Sequence, residues 1–154
     1  MSQQDYHCEI TANVNAKEAF ESISKGIPEW WTPNFEGGSQ NVDDLFTIRF
    51  PTTFVDFEVT EIVPARKIVW QVNDCYFAWL KDKTEWTDPR VVWEFLPQNE
   101  STKISMTHIG LVPEIECYRN CVRGWDFFVK QSLRKLLTEG QGMPDAPRKE
   151  RQEQ

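Results

Sequence analysis

The stretch PEIECYRNCVRGWDFFVKQSLRKLLTEG, residues Pro113–Gly140, governs how the rest of the chain is read. At 100° per residue, Ile115, Tyr118, Cys121, Val122, Trp125, Phe128, Val129, Leu133 and Leu136 fall in one continuous arc. Arg119, Asn120, Arg123, Lys130, Gln131, Arg134 and Thr138 fill the opposite arc. That period predicts one amphipathic α-helix, about 38 Å long at 1.5 Å per residue, with a stripe that has to lie on something apolar. Gly140 and Gly142 close it, with Pro144 just beyond. Gly124 interrupts the helix at a cost of roughly 1 kcal/mol relative to Ala, which predicts close approach to another backbone. Phe127 falls in the polar arc, where it packs under a Trp30-Trp31 turn or marks a partner surface.

What the stripe covers lies upstream. Tyr6, Cys8, Ile10, Ala12 and Val14 alternate with polar residues, the period of a half-buried strand. Asn15 with Glu18 three positions later resembles a capping box, opening a helix that carries Phe20 and Ile23 and stops near Gly26. Ile27-Pro28-Glu29-Trp30-Trp31 reads as one further short turn, with Pro28 near its first position. A loop is expected from Thr32 to Asp44. Strands follow at Leu45–Phe50, Phe54–Val63, Lys67–Val72, Pro89–Leu96 and Lys103–Leu111, separated by short Pro-bearing or polar turns that imply an antiparallel meander. Asn73–Asp88 holds one strand or a mobile flap. The fold class is therefore α+β. It is a helix-grip (START/Bet v 1-like) arrangement, a curved antiparallel sheet of about six or seven strands wrapped around a long C-terminal helix. Two short helices follow the first strand. Residues 5–142 form one domain, 1–4 a flexible N-terminus and 143–154 a disordered polar tail.

The chain has 154 residues, about one core's worth, and a net charge of −7 from 17 basic and 24 acidic side chains. A field of that sign repels phosphate backbones, so nucleic acid is not expected as a partner. No apolar run approaches the roughly 18–20 residues of a membrane span, and no signal-peptide pattern opens the chain. Cys8, Cys75, Cys117 and Cys121 lack framework spacing, which fits a reducing, cytoplasmic setting. The unusual component is aromatic: seven Trp, ten Phe and three Tyr. Such rings build both cores and apolar pockets.

Several stretches together are distinctive. They are Trp30-Trp31 after the first helix, Glu61-Ile62-Val63-Pro64-Ala65-Arg66-Lys67-Ile68-Val69-Trp70, and Val92-Trp93-Glu94-Phe95. Thr102–His108 with Gly110-Leu111, Gly124-Trp125, and Leu133…Leu136…Gly140-Gln141-Gly142-Met143-Pro144 continue the series. In this order and spacing, from about Cys8 to Pro144, the chain resembles the SRPBCC (START-like) superfamily. Within it, the resemblance is to the family named for the C-terminal domain of the activator of Hsp90 ATPase. That resemblance implies a hydrophobic cavity between sheet and long helix. Superfamily members bind lipids, sterols, polyketides or plant hormones, and some catalyse cyclisation or hydrolysis. The eukaryotic co-chaperone engages Hsp90 through a separate N-terminal domain. This chain begins its first strand by about residue 6, so Hsp90 activation is not the expectation.

Candidate site residues follow from the inward faces. Phe57, Trp70, Trp93, Met106, Tyr118, Trp125 and Phe128 line the expected cavity, with His108 as the polar group that orients a ligand. The plainer reading of His108, a core histidine bonded to a neighbour, is preferred to a catalytic one. Glu61 continues the Val55, Phe57, Val59 face and would be an acid or base if buried; an exposed or Arg-paired carboxylate is preferred. Cys117 and Cys121, one helical turn apart, read as structural thiols, with too few further ligands for zinc. No Gly-x-Ser-x-Gly elbow, no triad and no phosphate-binding Gly loop is present. No metal and no cofactor is expected. The reading is a protein that binds an apolar or amphipathic small molecule (lipid-like, aromatic or polyketide-like), as a monomer or weak homodimer. The alternatives are a cyclase- or hydrolase-type enzyme using the same cavity, and a protein-interaction or chaperone-associated module without a ligand.

Overall fold

A computed structural model describes residues 5–50, 53–77, 90–111 and 118–143. Strand β1 (Tyr6–Ala12) alternates buried and exposed residues without interruption. Helix α1 (Ala16–Ser24) is capped by Asn15, whose Oδ1 accepts from the Glu18 amide at 2.7 Å. A single turn, α2 (Ile27–Trp30), follows with Pro28 in its first turn, where the missing N–H costs nothing. Then come β2 (Phe35–Gly37), β3 (Leu45–Phe50), β4 (Thr53–Val63), β5 (Lys67–Phe77), β6 (Arg90–Gln98) and β7 (Ser101–Ile109). The strands form one antiparallel sheet in the order β1-β7-β6-β5-β4-β3-β2, with β1 and β2 at its edges. Sequential neighbours pair along the meander, and the first strand returns beside the last.

Two strands differ from expectation. β2 lies inside the segment read as loop; three residues ending in glycine are too short to show a period, and Phe35 is placed by pairing with Ile48. β5 runs five residues past Val72, because a β-bulge realigns it: the register passes from Asp56↔Asp74 to Phe57↔Val72, leaving Asn73 as the extra residue. The remainder of the Asn73–Asp88 question, residues 78–89, lies outside the described residues, as do the two terminal segments 1–4 and 144–154. Met143, assigned to the tail, is half-buried and its amide donates to Ser132 Oγ at 2.7 Å.

The long helix is also wound differently. It continues from α3 (Tyr118–Trp125) through a π-helical segment, Asp126–Leu133, into α4 (Arg134–Glu139), and ends at Gly140 with φ 84°. A π turn takes an extra residue, so the buried face falls behind the 100° wheel by about one position. Leu137 is buried where Leu136 was expected, and Phe127 turns in far enough to pack on the core, edge-on to Phe128 at 5.4 Å. At its start the segment is tied to the sheet edge by the Tyr6 hydroxyl, which donates to Asp126. Burial, then that bond, pushes the Tyr6 pKa upward, so the phenol stays protonated. Gly124 makes no close approach: a Cβ there would meet nothing within 4 Å. The close approach is at Gly142, where a Cβ would stand 2.4 Å from the Glu29 carbonyl oxygen.

Candidate functional site

Between the sheet and the helix lies a continuous set of rings. Phe57, Trp70, Trp93, Met106, Trp125 and Phe128, expected as cavity walls, and His108, expected as the polar group that orients a ligand, are all buried there. The side chain of Tyr118 lies outside the described residues. β4 and β5 bring Phe57 to Trp70 (centroids 5.4 Å), β6 adds Trp93 (5.5 Å from Trp70), and the helix closes over them with Trp125, 6.2 Å from Trp93. Rings at 4.5–7 Å are in contact, each pair contributing about 0.5–1.5 kcal/mol beyond its buried area.

Sequence reasoning left Trp30, Trp31 and Phe46 out of this set, yet the structure puts all three in it. Trp31 stacks on Trp30 and Trp70 and touches Phe57, Trp125 and Phe128, while Phe46 meets Phe57 and Trp70. The middle of the expected cavity is thus occupied by the Trp31 indole. The signal was present in the doubled Trp after a helix, but neither the direction of α2 nor its docking is legible in a four-residue element.

A clasp fixes α2. Ser132 Oγ donates to the Trp30 carbonyl at 2.7 Å and accepts from the Met143 amide, while Trp30 Nε1 donates to the Ser22 carbonyl at 2.9 Å. Gly142 lets the chain leaving the helix lie against Glu29. The clue to this residue was a small polar side chain within the apolar arc, four positions after Phe128.

His108 sits on β7 beneath Trp125. The Trp125 indole N–H can only donate, and it donates to His108 Nδ1 at 2.9 Å, so the neutral ring carries its proton on Nε2. Burial pushes the His108 pKa down to about 3. At neutral pH it is an uncharged, buried histidine that accepts from Trp125. Two other polar atoms in the set are distinctive: the Nε1–H groups of Trp70 and Trp93 are fully buried and have no hydrogen-bond partner among the described residues.

Glu61 is not on this face. β4 bulges between Val59↔Trp70 and Glu61↔Val69, so Thr60 is extra and the alternation reverses. Glu61 is exposed and pairs with Lys67 at 3.6 Å, a lysine rather than the arginine expected. Ile62 turns toward the core instead. Cys121 is buried in the helix arc, and Cys117 lies outside the described residues. Among the described residues no three His, Cys, Asp or Glu side chains converge as metal ligands, and no helix is long and apolar enough to cross a membrane. A surface depression lined by Asn13, Gln98, Asn99, Glu100 and Ser101 lies at the β6–β7 turn, away from the rings.

Comparison with solved structures places this architecture among known folds. An Aha1 dimer from Colwellia psychrerythraea superposes with a TM-score of 0.75 at 20% identity, over 90% of this chain and 99% of that one. DynU16, a protein in the dynemicin biosynthetic locus, superposes with a TM-score of 0.69 at 14% identity; 92% of this chain matches 49% of that one, so this chain spans about half its length. An Hsp90 activator from Plasmodium falciparum superposes with a TM-score of 0.61 at 18% identity, over 84% and 92% of the two chains. These likenesses establish a shared fold. No curated protein matches the sequence. The family model described as activator of Hsp90 ATPase homolog 1-like protein matches residues 13–138. With that match over most of its length, and with the helix-grip architecture around it, the chain belongs to the activator of Hsp90 ATPase homolog 1-like family of the SRPBCC superfamily.

Proposed function

We propose that the protein binds an apolar or amphipathic small molecule between the sheet and the long helix, with Phe57, Trp70, Trp93, Met106, Trp125 and Phe128 as its walls. The observation that carries this reading is the pair of unpartnered indole N–H groups on Trp70 and Trp93. Each buried donor left without an acceptor costs about 1–3 kcal/mol, a penalty that Phe at the same position would avoid. An acceptor from outside the chain removes that cost, and a ligand in the ring set brings one. Binding is favoured over catalysis by the state of the candidate acid–base groups. A histidine with a pKa near 3 is a weak base toward any substrate proton at neutral pH, and Glu61 is on the outer face. The test is native mass spectrometry of the protein purified from its own host. A co-purifying small molecule released on unfolding is the expected result. A bare polypeptide that also takes up no aromatic or acyl probe refutes the reading.

A further inference from the structure

The two edges of the sheet are built differently. β2 offers three residues and ends at Gly37, a stretch too short to template another strand. β1 offers seven, Tyr6–Ala12, in a register with β7 that runs from Tyr6↔His108 to Ala12↔Thr102 without a bulge. It holds neither proline nor lysine, the residues that most often blunt an edge. The Tyr6 amide is turned toward the β7 side, where it donates to the Leu111 carbonyl at 2.9 Å. Backbone direction alternates along an antiparallel strand, so the N–H and C=O groups of His7, Glu9 and Thr11 point to the open side. Among the described residues no further strand lies there. The inward side chains register the same opening: Tyr6, Cys8 and Ile10 keep 8%, 4% and 7% exposure, where Val91 and Trp93 of β6 keep none.

From this edge we infer that β1 pairs with β1 of a second copy of the chain, antiparallel and centred on Cys8, joining two seven-stranded sheets into one. In such a pair, opposite residues share a face and the two-fold axis passes between one residue and its own copy. The registers that pair at least five residues of the strand are centred on Cys8, Glu9 or Ile10. Centring on Glu9 sets that carboxylate against itself, and like charges directly opposite are destabilising. Centring on Ile10 sets Glu9 against Thr11, with no opposite charge to meet. Centring on Cys8 sets each Glu9 against the other copy's His7, and Tyr6 against Ile10 on the inner face. Charge therefore selects Cys8. The outer side chains are already held in place for it: His7 bonds Thr107 at 2.7 Å and Glu9 at 3.0 Å, and Lys103 lies 3.6 Å from Glu9. Cys8 turns its backbone to β7, so the Cys8 pair is of the non-hydrogen-bonded type, with Cα atoms about 4.5 Å apart and within the span of a disulfide. An edge contact covers little area, so this dimer is weak and forms as concentration rises.

The experiment is sedimentation equilibrium of the full chain up to about 1 mM, with diamide oxidation read on a non-reducing gel. Wild type is expected to pass from monomer to dimer with concentration, and to give a disulfide-linked dimer that Cys8→Ser does not give. Glu9→Pro removes an amide on the open side and no bond to β7, so it is expected to fold and to weaken the dimer at least about tenfold. His7→Glu sets carboxylates across both His7–Glu9 pairs, with a loss of about tenfold expected, and it stands in should Glu9→Pro not melt cooperatively. Wild type that stays monomeric throughout refutes the pairing and leaves the edge to a strand of another protein. A dimer that both variants leave intact lies on a different surface, which also refutes it. A dimer weakened by Glu9→Pro but indifferent to His7→Glu, or never linked through Cys8, refutes the register.

Discussion

Alanine at Gly124 and alanine at Gly142 are expected to move stability in opposite directions. At Gly124 the new Cβ meets nothing within 4 Å and the residue is inside α3, so only the backbone entropy of glycine is at stake. Gly124→Ala is expected to stabilise the protein by about 0.5–1 kcal/mol, which raises Tm by about 2–4 °C per kcal/mol in a chain of this size. At Gly142 the Cβ would lie 2.4 Å from the Glu29 carbonyl oxygen and 3.1 Å from both the carbonyl and hydroxyl oxygens of Ser132. Relief to ordinary contact near 3.4 Å requires a shift of about 1 Å between the post-helix segment and α2. A shift of that size stretches the 2.7 Å bond from Met143 to Ser132 beyond hydrogen-bonding range. The loss of that bond, with the strain of overpacking, costs about 1–3 kcal/mol. The two variants are therefore separated by roughly 1.5–4 kcal/mol. Urea denaturation reads this as midpoints displaced to either side of wild type at unchanged slope. A Gly142→Ala midpoint equal to that of wild type, or a destabilised Gly124→Ala, would refute the placement of the close approach.

Three further outcomes are expected. Between the ordinary histidine value of 6.5 and about 3, the unfolded chain binds a proton at His108 that the folded chain excludes. This group's contribution is therefore fully present above 6.5 and lost as pH falls, by about 1.4 kcal/mol per pH unit. Denaturation of wild type and His108→Gln across that window isolates it, and equal slopes would show that His108 is not held neutral. Asn15→Ala removes the acceptor for the Glu18 amide and is expected to cost about 1 kcal/mol by thermal melting, with Asn15→Asp close to wild type. Glu61→Gln disturbs only a surface pair with Lys67 and is expected to change stability by less than about 0.5 kcal/mol and ligand uptake not at all. A large loss of binding in that variant would return Glu61 to the interior.

Periodicity is a local property, and the features it governs were legible in the residue order. The alternation of Tyr6 to Ala12, the Asn15 cap, the turns between strands and the apolar arc of the last helix each depend on neighbours within a few positions. The inward faces of β4 through β7 follow from the same alternation, so the buried residues Phe57, Trp70, Trp93, Met106 and His108 were identifiable before their partners were known.

What escaped the residue order depends on contacts between distant segments. A bulge is set by the partner strand, and one extra residue at Thr60 is enough to send Glu61 outward. The π winding of Asp126–Leu133 has no pattern of its own, and it moves Leu137 inward where a uniform wheel predicts Leu136. Glycine has two unrelated uses, a tolerated break at Gly124 and a required gap at Gly142, and only the atoms facing each one distinguish them. Trp31 shows the same division: composition announces an aromatic interior, but packing of a short turn against a helix a hundred residues away selects the ring at its centre.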